Sequence, residues 1–259
     1  MKKKIIVGNW KMSPATPEEA KSIFLKIKRS ASRVRGVSVV ICPSDVHLMA
    51  LAKLSSKGNV RVGVQNVFWE DKGSFTGQIS PAQAWNAGAR YALVGHSEKR
   101  KLGETSADAA KKLFAVIRDG MTGIICVGED TRDKDGNFFA LLKDQLLASL
   151  AHISRHMLLH STIVAYEPVW EIGRSDLQAM KSRDVHETAI FIRKVINDAF
   201  GPDIARALPI LYGGSVSPEN AHSIVYEGGV DGLLVGRQSL EPQAFSVIIK
   251  SMHPRHARK

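Results

Sequence analysis

The chain has 259 residues, 44% of them apolar and 24% charged, the composition of an ordinary globular protein. That length buries a sizeable core without disulfides or metals, which excludes a disulfide mini-scaffold, a collagen-like repeat and a largely disordered chain. Lys and Arg total 36 against 25 Asp and Glu, a formal charge of +11, so anionic partners are favoured: nucleic acid, a membrane surface or a phosphorylated metabolite.

The charges run along the whole chain, with dense clusters only at Lys2, Lys3 and Lys4 and in a basic tail over about residues 252–259. Both clusters read as solvated termini, and no aromatic-plus-basic motif accompanies them, so no specific nucleic-acid partner is expected. No apolar run approaches the ~20 residues that span a bilayer. The apolar stretch after the opening lysines is too short for a secretory signal. A cytoplasmic protein without a membrane partner is the expectation. Cys42 and Cys126 lie in apolar strand-like runs without CxxC spacing and read as buried free thiols.

In chain order, strand-like apolar runs fall at residues 4–10, 37–42, 60–65, 91–95, 123–127, 162–167, 209–212 and 232–235. They are nearly continuous rather than alternating, as strands buried on both faces are. Helical signals lie between them. Thr16, Pro17 and Glu19 offer an N-cap, a first-turn proline and a capping-box glutamate, followed by an apolar face at Ala20, Ile23, Phe24 and Ile27. Ser80-Pro81 and Ser217-Pro218 repeat the cap-then-proline device. Residues 138–153 and 185–199 carry helical apolar periodicity. Eight strand–helix units with no linker predict one α/β domain over residues 1–259. A closed (β/α)8 barrel fits the count and spacing better than a doubly wound open sheet. Gly8-Asn9-Trp10-Lys11 after the first strand is no GxGxxG, which argues against dinucleotide binding.

In such a barrel, function sits where strands end and βα loops begin. Those ends carry Asn9 and Lys11, Gln65 and Asn66, His96, Ser97 and Glu98, Glu129, Glu167, then Gly213, Gly214 and Ser215, and finally Gly236 and Arg237. Glu167 closes an apolar run before Pro168, so desolvation should raise its pKa and make it a stronger base; otherwise it is a structural carboxylate bonded to a loop amide. His96 opens a helical stretch, where the helix dipole disfavours the imidazolium and leaves a neutral N–H donor for a carbonyl; a lone histidine is otherwise structural. Lys11 is a fixed positive charge for an anion or enolate, or a surface lysine. The glycine-bearing turns at residues 212–216 and 235–237 suit anion binding through backbone N–H groups. No pair of histidines or carboxylates is recognised with metal-ligand spacing, so no metal is expected.

Together the motifs Gly8-Asn-Trp-Lys-Met12, Val94-Gly-His-Ser-Glu98, Cys126-Val-Gly-Glu129, Ala165-Tyr-Glu-Pro-Val-Trp170 and Tyr212-Gly-Gly-Ser-Val216 resemble the triosephosphate isomerase family, in its order and spacing and over nearly the whole chain. The resemblance implies interconversion of dihydroxyacetone phosphate and D-glyceraldehyde 3-phosphate through an enediolate, a step of glycolysis and gluconeogenesis, with no cofactor or metal. It implies Glu167 as the base and His96 as the neutral electrophile, roles for which this family is a standard illustration. It further implies Lys11 and Asn9 in charge stabilisation and substrate binding, and Glu98 as support beside them. Gly173, Ser215, Gly236 and Arg237 would hold the phosphate. Pro168, Val169, Trp170, Glu171, Ile172, Gly173, Arg174 and Ser175 would form a lid that keeps water from the enediolate. Tyr212 and Ser215 would hold that lid closed, and Glu129 would meet Trp170 when it is open. The loop at residues 65–80, with Phe75 and Thr76 near its tip, would join two copies in a homodimer.

Some positions depart from the family pattern. Glu171, Arg174 and Ser175 stand where Ala, Thr and Gly are usual, and Arg237 and Gln238 replace Gly-Ala. Gln78 replaces a glutamate, and Lys99 replaces an arginine, which would weaken an ion pair with Glu104 because lysine lacks the planar fork. These departures motivate the alternative of a catalytically weak barrel that binds phosphate in a regulatory role. The lid departures are expected to change lid closure more than chemistry. A variant carrying Ala, Thr and Gly at positions 171, 174 and 175 should therefore differ from wild type in turnover, and equal turnover would rule this out.

Overall fold

The computed structural model of the protein describes residues 3–55, 58–171 and 179–253. The apolar runs form parallel strands β1 (Lys4–Asn9), β2 (Val37–Cys42), β3 (Val60–Val64), β4 (Tyr91–Val94), β5 (Thr122–Val127), β6 (Thr162–Tyr166), β7 (Ile210–Tyr212) and β8 (Gly232–Val235). They pair in chain order, and β8 returns to β1 with Ile5 opposite Gly232 and Gly8 opposite Val235, which closes the barrel. The polar residues that end several runs, Glu167 and Gln65 among them, lie just past the ladder.

Around the barrel run α1 (Pro17–Ala31), α2 (Asp45–Ser55), α3 (Pro81–Asn86), α4 (Ser97–Lys101), α5 (Ser106–Arg118), α6 (Phe138–Ser149), α7 (Arg155–Ser161), α8 (Ser182–Phe200), α9 (Pro202–Ala207), α10 (Ala221–Tyr226) and α11 (Pro242–Ser251). Helix α1 begins as its sequence predicts: the Thr16 hydroxyl accepts from the Glu19 N–H at 3.2 Å, Pro17 opens the first turn, and Ala20, Ile23, Phe24 and Ile27 are buried. Ser80 and Gln83 form a reciprocal capping box at α3. Ser217-Pro218 does not start a helix directly. The Ser217 N–H donates to Asn220 Oδ1 at 2.8 Å, a local turn takes up residues 218–220, and α10 begins at Ala221.

Strand parity sorts the apolar side chains into two cores. Val7, Val40, Leu93, Ile124, Ile163 and Leu211 pack together as the barrel filling, whereas Ile6, Val39, Ile125 and Val164 join the larger layer against the helices. Both cysteines belong to the inner set and are free thiols, as expected. Met252, counted with the basic tail in sequence, is fully buried in the outer core, and its carbonyl accepts from the Tyr226 hydroxyl at 2.8 Å. No helix among the described residues is long and apolar enough to cross a membrane.

The seam between β8 and β1 is tight because Gly232 has no side chain: a Cβ there would overlap the Ile5 carbonyl. Backbone cannot give way as a side-chain tip can, and overpacking of this kind costs about 3 kcal/mol at the upper end of its usual range. Gly232→Ala should lower the stability measured by urea unfolding by that order. A change below the error of the extrapolation would show that the seam relaxes freely.

Candidate active site

The inward parity of the strands carries from Val7 to Asn9, the last residue of β1, and one position past β6 and β7, from Ala165 to Glu167 and from Leu211 to Gly213. These residues meet over the barrel filling, in a cavity of about 360 Å³ lined by Asn9, Lys11, His96, Glu167, Ser215 and Arg237, with Gly236 in the same wall.

Lys11 sits at φ +53°, a left-handed conformation that costs a non-glycine residue about 1–2 kcal/mol. Its surroundings fix it there. The Lys11 N–H donates to Asn9 Oδ1 at 3.1 Å. Its carbonyl accepts from Ser44 Oγ and from Gln65 Nε2, each at 2.8 Å. The backbone so held directs the ammonium toward Glu98, Nζ to Oε1 2.6 Å. Gln65 thus serves the rim by holding Lys11. Asn66 is not brought into the cleft: it accepts from the buried Lys112, which also pairs with Glu104 at 2.5 Å. Glu104 further accepts from the Gly95 N–H at 2.9 Å. The anticipated Lys99–Glu104 ion pair is therefore replaced by one with Lys112.

His96 caps α4. Its Nδ1 accepts from the Glu98 N–H at 3.2 Å, so the neutral ring carries its proton on Nε2. That nitrogen lies 3.2 Å from Glu167 Oε1 and 3.2 Å from Asn9 Nδ2. Glu167 is only 3% exposed, and the Ser97 N–H approaches its other oxygen at 3.4 Å.

Burial pushes the Glu167 carboxyl up, but the His96 ring beside it and hydrogen bonds from His96, the Ser97 amide and the Cys126 thiol outweigh this and hold it below the ordinary 4.5. The rise expected from desolvation alone is reversed by these partners. Burial likewise disfavours the His96 cation, and the Glu167 carboxylate more than offsets that, carrying the ring above its ordinary 6.5. The amide at the helix start engages Nδ1 and favours the neutral ring expected there, yet the carboxylate at Nε2 pulls the other way. Cys126 was legible only as a buried thiol; its strand parity with Ile124 points inward, but its contact with Glu167 depends on β6 lying beside β5.

The segment after β6 begins with a short 3-10 turn, Val169–Glu171. Glu129 accepts from Trp170 Nε1 at 3.0 Å and from the Tyr166 hydroxyl at 2.8 Å, the contact expected for an open lid. The Tyr212 hydroxyl and the Ser215 N–H both turn to the Glu171 carboxylate. Ile172, Gly173, Arg174 and Ser175 lie outside the described residues. Metal-ligand spacing does occur among the histidines, at His152 and His156 and again at His156 and His160; the last two, one turn apart on α7 just before β6, bring their ring centroids to 4.6 Å. Among the described residues no three His, Cys, Asp or Glu side chains are grouped to hold a metal ion.

The coupling of Glu167 with His96 sets a pH window. A carboxyl lowered in the folded chain adds stability above about 4.5 and loses it as pH falls through the folded value. A histidine raised in the folded chain adds stability fully below about 6.5 and loses it as pH rises through the folded value. The stability difference between wild type and Glu167→Gln, from urea unfolding at a series of pH values, should therefore peak between those limits and shrink on both sides. Parallel profiles for the two proteins would contradict the coupling.

The comparisons with known proteins agree with this geometry. The family model described as triosephosphate isomerase matches residues 4–252. The triosephosphate isomerase of Moorella thermoacetica is 37% identical over 251 residues, covering 96% of this chain and 98% of its own length. That of Trichlorobacter lovleyi is 38% identical over 256 residues, covering 96% and 99%. The crystal structure of triosephosphate isomerase from Bartonella henselae superposes with a TM-score of 0.85 at 33% identity, over 96% of this chain and 98% of that one. A match that spans the barrel from its first strand to its last helix, and that includes the cleft just described, places the chain in the triosephosphate isomerase family.

Proposed function

We propose that the cleft carries out the isomerisation for which the family is named, interconverting dihydroxyacetone phosphate and D-glyceraldehyde 3-phosphate, with Glu167 as the base. The observation that carries this assignment is the buried carboxylate facing the Nε2 of a histidine whose Nδ1 is already occupied, 3.2 Å apart, over a cavity that also holds Lys11. A substrate entering between the two side chains separates them. It removes the contact that holds Glu167 down and leaves desolvation to strengthen the base.

Glu167 then takes a proton from the carbon next to the carbonyl, while the His96 Nε2–H donates to the carbonyl oxygen. The electron pair moves from the C–H bond into the enediolate. His96 transfers protons between the two oxygens, and Glu167 returns its proton to the neighbouring carbon. The Lys11 ammonium, fixed by a strained backbone and by Glu98, offsets the developing negative charge together with Asn9. Ser215, Gly236, Arg237 and, from the lid, Gly173 bind the phosphate. Residues 168–175 act as the lid.

The loop at residues 65–80 supports assembly as a homodimer. Phe68 stacks on Trp69 with centroids 4.1 Å apart and packs at a tilt against Phe75 at 4.5 Å, while residues 70–78, including Phe75 and Thr76, are exposed. The working form is taken to be one barrel domain over residues 1–259, located in the cytoplasm. The alternative of a weakly active, phosphate-binding barrel draws on the lid departures alone, and the assembled base, imidazole and ammonium favour catalysis.

Glu167→Asp keeps the carboxylate but withdraws it by one methylene, a misplacement that costs on the order of a hundredfold. In a coupled assay of glyceraldehyde 3-phosphate isomerisation, wild type should turn over rapidly and Glu167→Asp about a hundredfold more slowly. An inactive but folded wild type would bring the regulatory alternative forward.

A further inference from the structure

Glu171 ends the 3-10 turn after Pro168 and is 0% exposed. A buried carboxylate survives only where donors satisfy it, and here they do. The Tyr212 hydroxyl donates to Oε2 and the Met180 N–H to Oε1. The Ser215 N–H points to Oε2 at 3.4 Å. Burial and then the adjacent Glu171 push the Tyr212 hydroxyl well above its ordinary range, so it stays a donor. Gly214 completes the fit, since a Cβ there would collide with both the Glu171 carboxylate and the Tyr212 hydroxyl.

Ser215 and Gly214 also line the catalytic cavity, together with Lys11 and Arg237. The chain thus presents its own anion to a backbone N–H of the wall where the substrate's phosphate is assigned. We propose that Glu171 is a resident competitor of the phosphate site, an anion that holds the Ser215 N–H and that an incoming phosphate must displace. This rests on the phosphate site assigned above. One N–H cannot serve two anions fully, and like charges held close together repel. A small anion with few other contacts loses that competition. A triose phosphate, which also engages Lys11, His96 and Glu167, wins it. The carboxylate therefore weakens the binding of inorganic phosphate and of triose phosphate alike, and only a ligand with further contacts still binds well.

Glu171→Gln keeps the acceptor for Tyr212 and Met180 but removes the charge, and Tyr212→Phe keeps the charge but loosens its anchor. Each is tested as the full chain, with inorganic phosphate as competitive inhibitor of isomerisation and tryptophan fluorescence as a direct readout of phosphate binding. Glu171→Gln should bind inorganic phosphate roughly tenfold more tightly than wild type, with a lower KM for triose phosphate and a smaller change in kcat. Tyr212→Phe should shift phosphate affinity the same way by less, which keeps the proposal testable if Glu171→Gln does not fold. Unchanged or weaker phosphate binding in either folded variant would overturn it. A wild type that isomerises but is not competitively inhibited by phosphate would overturn it at its foundation, the phosphate site, and leave the base assignment standing.

Discussion

All eight strands run parallel, and β8 pairs with β1 to close the ring, so every polar residue that ends an apolar run emerges on one rim. The rest of the molecule follows from that closure. Because side chains fill the barrel, the rim has a dry floor. Because strand parity alternates, the residue one step past an inward Val7 or Ala165 also faces inward, and that step places Asn9 and Glu167 over the floor. A carboxylate in such a position is desolvated whatever its purpose, and its neighbours decide what it becomes.

Three buried carboxylates in these loops show how far neighbours matter. Glu129 is held by the Tyr166 hydroxyl and the Trp170 ring N–H. Glu171 is held by the Tyr212 hydroxyl and the Met180 amide. In both, the tyrosine is pushed well above its ordinary range by burial and then by the carboxylate it serves, so the donor cannot readily surrender its proton. Such pairs fasten the loop after β6 to the ends of neighbouring strands. Glu167 differs because its main partner is an imidazole, a group that exchanges protons near neutral pH. Its contact is one that a substrate can take over.

The fixed charge in the cleft depends on the same economy of contacts. Lys11 keeps an unfavourable φ because the Asn9 side chain receives its N–H while Ser44 and Gln65, from the ends of β2 and β3, fill its carbonyl. Backbone strain of this kind persists only where the surroundings over-determine it. Here it turns a flexible lysine into a positioned one, and Glu98 completes the placement.

The sequence alone determined the barrel, because eight nearly continuous apolar runs separated by capped amphipathic helices leave few other solutions. It also located Asn9, Lys11, His96 and Glu167, since each interrupts or follows such a run where a strand must end, and the helix starts at Thr16 and Ser80 were written in local chemistry. What depends on chain segments far apart was not legible. The direction of the Glu167 shift hangs on His96, Ser97 and Cys126 from two other strand ends. Lys112 met Asn66 from the end of β3, and Glu171 found its partners across the rim at Tyr212 and Ser215. Periodicity and capping are local properties, which one stretch of chain settles by itself. Which donor satisfies a buried charge is settled only when distant strands are brought side by side.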